Sequence, residues 1–268
     1  MREIFGQIKL STFISSIFLR IKENQMFTKN RKKLIKSLHQ KKYRDAHELF
    51  IVEGEKMVRE LINLNSSDLG AQIIDLYCIA SLHKSFPEAE IISSEDMTSI
   101  TAFKTSPGIF AVVEQPTLPE LDLKGTTSIL ILDEIKDPGN LGTIIRSAEW
   151  FGIDMIILSP QTVELYNPKT VQSTMGSLFR ANIYRIELEK TLSILAKNDF
   201  TIYAADMNGY DMKQEKWADK KALVIGGEAP GISNSSKTHS HKIISIKGTG
   251  NAESLNAGVA ASIIISHW

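Results

Sequence analysis

The chain has 268 residues with a 43% hydrophobic share, long for one domain and comfortable for two. Its 31 basic and 31 acidic residues cancel, and a split at Gly125 leaves 17 against 16 before it and 14 against 15 after it, so neither half is a basic domain and any polyanion site is local. Cys78 is the lone cysteine, which excludes an intrachain disulfide and a cysteine zinc cluster and fits a reducing cytoplasm; with no run of about 18 apolar residues, no membrane span is expected.

In chain order, Phe13 to Leu19 resembles a short signal core but lacks a small-residue cleavage site and is followed by charges, so no export signal is read. Met26 opens a better-patterned sequence, and residues 1–25 are expected to be a dispensable extension or an overcalled start. From there to Arg44 come eight basic residues and no acidic one: Lys29, Arg31, Lys32, Lys33, Lys36, Lys41, Lys42 and Arg44. Leu34, Ile35 and Leu38 stand at helical spacing among them, which predicts one basic amphipathic helix. Taken alone it reads as a solvated face, with phosphate contact as the alternative. Leu49 to Val52 reads as a strand and Glu55 to Asn63 as a helix. Short strands follow at Asp75 to Ala80, Ile91 to Ser93 and Ile109 to Glu114, with Ser94 a helix cap between the last two. This makes residues 26–115 a small α/β unit, and Pro116, Pro119 and Gly125 mark a linker over 116–126.

Residues 127–268 alternate more regularly. Strands are expected at Ser128 to Leu132, Asp154 to Leu158, Thr201 to Ala205, Ala222 to Ile225 and Lys242 to Ile246. Helices are expected at about Leu141 to Phe151, Pro168 to Met175, Leu188 to Lys197 and Leu255 to Ser266. The alternation predicts a mostly parallel sheet covered by helices.

Three polar clusters stand where apolar strands end, and ligands of open α/β sheets bind beyond such carboxyl ends. The first runs Asp133-Glu134-Ile135-Lys136-Asp137-Pro138-Gly139-Asn140-Leu141-Gly142, with Arg146 further along. Read blandly, Asn140 is a helix cap, Arg146 a surface residue, and Asp133, Glu134 and Asp137 are solvated turn residues. The second is Gly226-Gly227-Glu228 closing at Gly231, where paired glycines admit close backbone approach and a carboxylate can orient a hydroxyl or amine. The third ends in Ser254-Leu255-Asn256 before the small-residue run Ala257 to Ala261, with Ser254 a natural cap. The His239/His241 pair lacks supporting ligands, so no metal is expected.

In this order and at these spacings, the clusters resemble the three signature motifs of the SpoU, or TrmH, family of RNA 2'-O-ribose methyltransferases. The first motif is matched by Asp137 to Gly142 and Arg146, the second by Gly226, Glu228 and Gly231, the third by Ser254, Leu255 and Asn256. More loosely, Tyr43-Arg44, Val52-Glu53-Gly54 and Ser106-Pro107-Gly108 resemble the family's substrate-binding domain of L30e-like fold, which makes RNA contact the favoured reading of the basic stretch. The resemblance implies a C-terminal trefoil knot, a cytoplasmic homodimer built on that domain, and S-adenosylmethionine held largely through backbone at Gly226, Ile246 and Leu255. It implies methyl transfer to a ribose 2'-hydroxyl of ribosomal or transfer RNA, without DNA, membrane or metal. Asn140, Glu228, Ser254 and Asn256 would position ribose and cofactor, and Arg146 would engage the phosphate or the 2'-oxygen. The chain departs from the family where Ile246-Lys247-Gly248 replaces Ile-Pro-Met, and Lys247 is expected to point outward. That departure supports one rival, a nonenzymatic RNA-binding protein on the same fold; a dehydrogenase-like nucleotide enzyme lacks its GxGxxG signature.

Overall fold

The structure, a computed structural model, describes residues 27–64, 72–116, 120–228 and 231–268. Residues 1–25, with the Phe13 to Leu19 segment, and Pro119 of the linker lie outside these. Two compact units divide at Pro116/Thr117.

The first unit runs α1 (Lys29–Ser37), α2 (Lys41–His47), β1 (Leu49–Glu53), α3 (Glu55–Asn63), β2 (Ile73–Cys78), β3 (Glu90–Ile91), α4 (Ser94–Ile100) and β4 (Ile109–Glu114). Its four strands lie in the order β1-β4-β2-β3, with β4 antiparallel to both neighbours. The single basic helix expected over Lys29 to Arg44 is instead two helices. The break follows from Arg44, which is buried and donates from Nη1 to the Leu38 carbonyl at 2.7 Å, closing the end of α1 where helix carbonyls lack partners. Ile35 and Leu38 pack beneath, with Tyr77, Phe110 and Val112 of the sheet. Arg44 is therefore a core residue and not the RNA contact expected of it. Arg31 pairs with the buried Asp75, Lys32 with Asp96 and Lys41 with Asp45, while Lys29, Lys33, Lys36 and Lys42 remain on the surface. Ser93, one residue before the expected cap, accepts from the Asp96 amide at 3.0 Å and starts α4.

The second unit runs β5 (Ser128–Asp133), α5 (Pro138–Trp150), β6 (Met155–Leu158), α6 (Pro168–Thr174), β7 (Ile183–Arg185), α7 (Leu188–Lys197), β8 (Thr201–Asp211), β9 (Lys221–Gly226), α8 (Asn234–His239), β10 (Lys242–Ser245) and α9 (Ala257–Ile265). All strand pairs are parallel, in the order β10-β8-β9-β5-β6-β7. Every residue of β5 and β6 is buried, as expected for strands covered on both faces. Ile129, Ile131, Ile157, Ile202 and Val224 form one side of this core with Leu192 and Leu195 of α7. The short strand β7 and helix α8 are additions to the sequence reading, and β8 runs six residues further than expected because its end pairs again with Ile244 and Ser245 after a register shift. From the edge strand β10 the chain returns so that α9 packs on α5, where the Ser147 and Ser262 hydroxyls lie 2.7 Å apart.

Candidate active site

The central strands β5 and β9 place the first two clusters side by side, since Asp133 and Gly226 are register partners at their carboxyl ends. Beyond β5, Glu134 takes φ +58°, a left-handed conformation unusual for a side-chain-bearing residue, and its amide donates to Ser159 Oγ at 2.9 Å. The turn delivers Pro138 to the first position of α5, where a missing N–H costs nothing. Asp137 is the cap, accepting from the Asn140 amide at 2.8 Å, and Lys169 pairs with its other oxygen at 3.1 Å. The Asn140 amide and the Lys169 ammonium hold the Asp137 carboxyl below the usual carboxylate range. Asn140 is thus the third residue of the helix rather than its cap, which leaves its side chain free to point off the first turn. Gly142 lets α5 and α6 touch: a Cβ there would stand 2.4 Å from Ser173 Cβ and 2.7 Å from the Thr170 carbonyl.

Beyond β9 the backbone folds back on itself. Gly231 donates its amide to the Gly227 carbonyl at 2.9 Å, and a Cβ on Gly226 would lie 2.2 to 2.4 Å from the Gly231 and Ile232 backbone. Only glycine fits at Gly226. The turn presents Glu228 outward. In the third cluster Asn256, not Ser254, caps the last helix, its Oδ1 accepting from the Gly258 and Val259 amides at 2.9 and 3.2 Å. That capping fixes which way its amide nitrogen faces.

These three side chains meet. Asn140 Nδ2 donates to Glu228 Oε1 at 2.6 Å; Asn256 Nδ2 donates to Asn140 Oδ1 at 2.8 Å and to the same Glu228 oxygen at 3.0 Å. One residue from each cluster, 88 and 28 positions apart along the chain, closes a triangle at the solvent boundary. Arg146 and Ser254 are not part of it. Six residues of α-helix carry a side chain roughly 120° round the axis and about 9 Å along, so Asn140 and Arg146 face different directions. The side chains of Arg146 and Ser254 are exposed and make no hydrogen bond or ion pair among the described residues. Ile246 is half-buried just past β10, and Leu255 keeps 47% of its surface exposed beside Asn256. Lys247 is exposed as expected, its ammonium donating to the Gly209 carbonyl of β8 at 2.8 Å.

Asp133 overturns the expectation of a solvated turn residue. It is buried at 3% exposure and accepts from the Ser233 amide at 2.9 Å and the Ser236 hydroxyl at 2.7 Å. Its partners lie a hundred residues away, which no local pattern reveals; the signal available was a carboxylate closing an otherwise apolar strand. Both histidines bond to backbone: His241 Nδ1 accepts from the Ile202 amide at 2.9 Å, and His239 Nδ1 lies 2.8 Å from the Ser235 carbonyl.

The donor set fits a cationic cofactor. Glu228 supplies negative charge at the strand ends, and Leu255 offers exposed apolar surface beside it. Residues 127–266 match the SpoU rRNA Methylase family and residues 29–111 the MRM3-like substrate binding domain. A 23S rRNA guanosine 2'-O-methyltransferase of Bacillus subtilis is 31% identical over 235 residues, covering 87% of this chain and 93% of its own length. A TrmH-family protein of Porphyromonas gingivalis superposes with a TM-score of 0.79 at 29% identity, covering 91% of this chain and 98% of that one. An rRNA methyltransferase of Sinorhizobium meliloti, solved with S-adenosylmethionine bound, gives 0.78 at 26% identity, covering 90% and 95%. The chain belongs to the SpoU rRNA methylase family, enzymes that use S-adenosylmethionine to methylate RNA at the ribose 2'-hydroxyl.

Proposed function

We infer that the protein methylates a ribose 2'-hydroxyl of ribosomal RNA, with Asn140, Glu228 and Asn256 as the group that orients the reactants. The observation that carries this reading is the closed triangle, in which one carboxylate oxygen accepts from both amides. S-adenosylmethionine supplies the electrophilic methyl. The chain's part is alignment, since displacement at a methyl carbon needs an in-line approach. Glu228 and the two asparagines fix one side of that line. Gly226, Ile246 and Leu255 hold the cofactor through backbone and apolar contact, and Ser254 meets the ribose.

Arg146 stabilises the 2'-oxygen as its proton passes to solvent water, or binds the adjacent phosphate; a guanidinium is a standing cation, which suits electrostatic work better than base work. Because it faces away from its own triangle, it acts on RNA spread across a second protomer. The exposed α5–α9 face, with Trp150 at 80% and Val259 at 47% exposure, supports a homodimer assembled there. The return of α9 from the edge strand to α5 is the course a trefoil knot requires. Residues 26–115 serve as the substrate-binding domain and 127–268 as the catalytic one, and the cytoplasm is the compartment that holds the substrate. Lys29, Lys33, Lys36 and Lys42 are the surface cations left to meet phosphates.

The test is transfer of labelled methyl to ribosomal RNA from a strain lacking the gene. Label at an alkali-resistant linkage is expected, and label in a base overturns the reaction class. Asn140→Ala and Arg146→Ala should each lose transfer by about a hundredfold; near-unmodified turnover in both removes the site assignment.

A further inference from the structure

Asp133 accepts hydrogen bonds from the segment of chain that carries Glu228, both before and after that residue. Gly227 donates its amide to the Asp133 carbonyl at 3.0 Å, and Ser233 donates its amide to Asp133 Oδ2 at 2.9 Å. Behind these, Ser236, fully buried, donates its hydroxyl to the same oxygen at 2.7 Å. Ser233 Oγ in turn accepts from the Ser236 amide at 3.2 Å, so the start of α8 and the end of the segment are fixed together. Asp133 is also the register partner of Gly226. It touches neither Asn140 nor Asn256, yet the place of Glu228 between them depends on where the segment enters and leaves.

We propose that Asp133 is a positioning residue for the methyl-donor side of the site, holding Ser233 and the start of α8, and through the Gly231 to Gly227 bond the backbone at Gly227, so that Glu228 reaches both asparagines. A carboxylate suits this task because two donors converge on one oxygen, and bonds to a charged acceptor are about twice as strong as neutral ones. An asparagine there keeps an accepting oxygen for both donors but loses the negative charge that strengthens their bonds. The inference rests on the reading of the site given above, and it separates two halves of it: the donor side depends on Asp133, and RNA capture by the first unit does not.

The experiment is calorimetry of the full chain with S-adenosylhomocysteine, alongside filter retention of ribosomal RNA and thermal melts. Asp133→Asn should weaken S-adenosylhomocysteine by about tenfold and Ser236→Ala by about threefold, with RNA retention unchanged in both. Ile157→Val, on β6 and two strands from β9, should lose comparable thermal stability and bind S-adenosylhomocysteine like the unmodified chain, which a merely structural role for Asp133 would not predict. Should Asp133→Asn fail to fold, Ser236→Ala decides alone. Unchanged affinity in the folded variants, or an equal loss in Ile157→Val, overturns the inference by itself. Absence of S-adenosylhomocysteine binding by the unmodified chain overturns the site reading and the inference with it.

Discussion

Arg44 in the first unit and Asp133 in the second are both buried charges bonded to backbone, yet they sit in different relations to function. Arg44 closes the end of a helix over the core of its own unit, with surface lysines around it. Asp133 stands at the mouth of a strand, one bond from the segment that bears Glu228. In the first unit, charge is divided between residues that build the fold and residues left on the surface. In the second, the residues that build the fold at the strand ends are the ones that shape the site.

The sharpest break of that comparison comes from Gly226. Gly226→Val places carbon where the Gly231 and Ile232 backbone already lies, so the returning turn must open. Loss of methyl transfer by at least about a hundredfold is expected, with first-unit RNA retention unchanged. Loss of retention as well would mean that the units do not divide their work. Next in size is Arg44→Met, which strands the Leu38 carbonyl and should destabilise the first unit by about 2 kcal/mol while leaving S-adenosylhomocysteine affinity alone. Lys33→Ala with Lys36→Ala should do the reverse: unchanged melting, weaker RNA binding, and a salt dependence reduced by about one in slope for each lysine that meets a phosphate. An unchanged slope assigns these lysines to solvent.

How far the sequence could be read follows the same division. The strand-end clusters were legible because their residues are local in the chain, and each strand of the second unit but the short β7 was marked by an apolar run. The triangle itself was only half legible: Asn140, Glu228 and Asn256 were named, but their contact depends on which strands become neighbours, and the caps Asp137 and Asn256 were misassigned to Asn140 and Ser254. In the basic stretch, periodicity carried through the break at Leu38 because no Gly or Pro stands there. What ends α1 is a side chain from the next helix, a tertiary effect. A carboxylate beside a turn is usually solvated, which is all the local sequence says of Asp133; its partners at Ser233 and Ser236 are brought up by the fold.

The smallest effects concern pH, and they have opposite signs in the two units. Burial pushes the Glu53 carboxyl of the first unit above the usual carboxylate range, against bonds from Thr101 and the Ala102 amide that lower it. The folded state then holds a proton that the unfolded chain has released, so this contribution is complete below the ordinary carboxylate pKa and is lost as pH rises through the raised one. Glu53→Gln keeps an acceptor for Ala102 and removes the titration; it should raise the melting temperature of the first unit by about 3 °C at neutral pH and leave it unchanged in acid.

Asp154 behaves the other way. Burial pushes it up, but the amides and hydroxyls of Thr127 and Ser128, each 2.9 to 3.0 Å from Oδ2, outweigh that and hold it below the usual range. Its contribution is present above the ordinary carboxylate pKa and fades as pH falls through the lowered one. Asp154→Asn should therefore cost the second unit about 2 °C at neutral pH and nothing in acid, a small effect because the group is exposed. The three tryptophans, Trp150, Trp217 and Trp268, all lie in the second unit, so their fluorescence follows that unit's melting while far-ultraviolet circular dichroism follows both. If the Asp154→Asn shift appears in acid and not at neutral pH, or if fluorescence and dichroism move together in both variants, the opposed linkage of the two units is wrong.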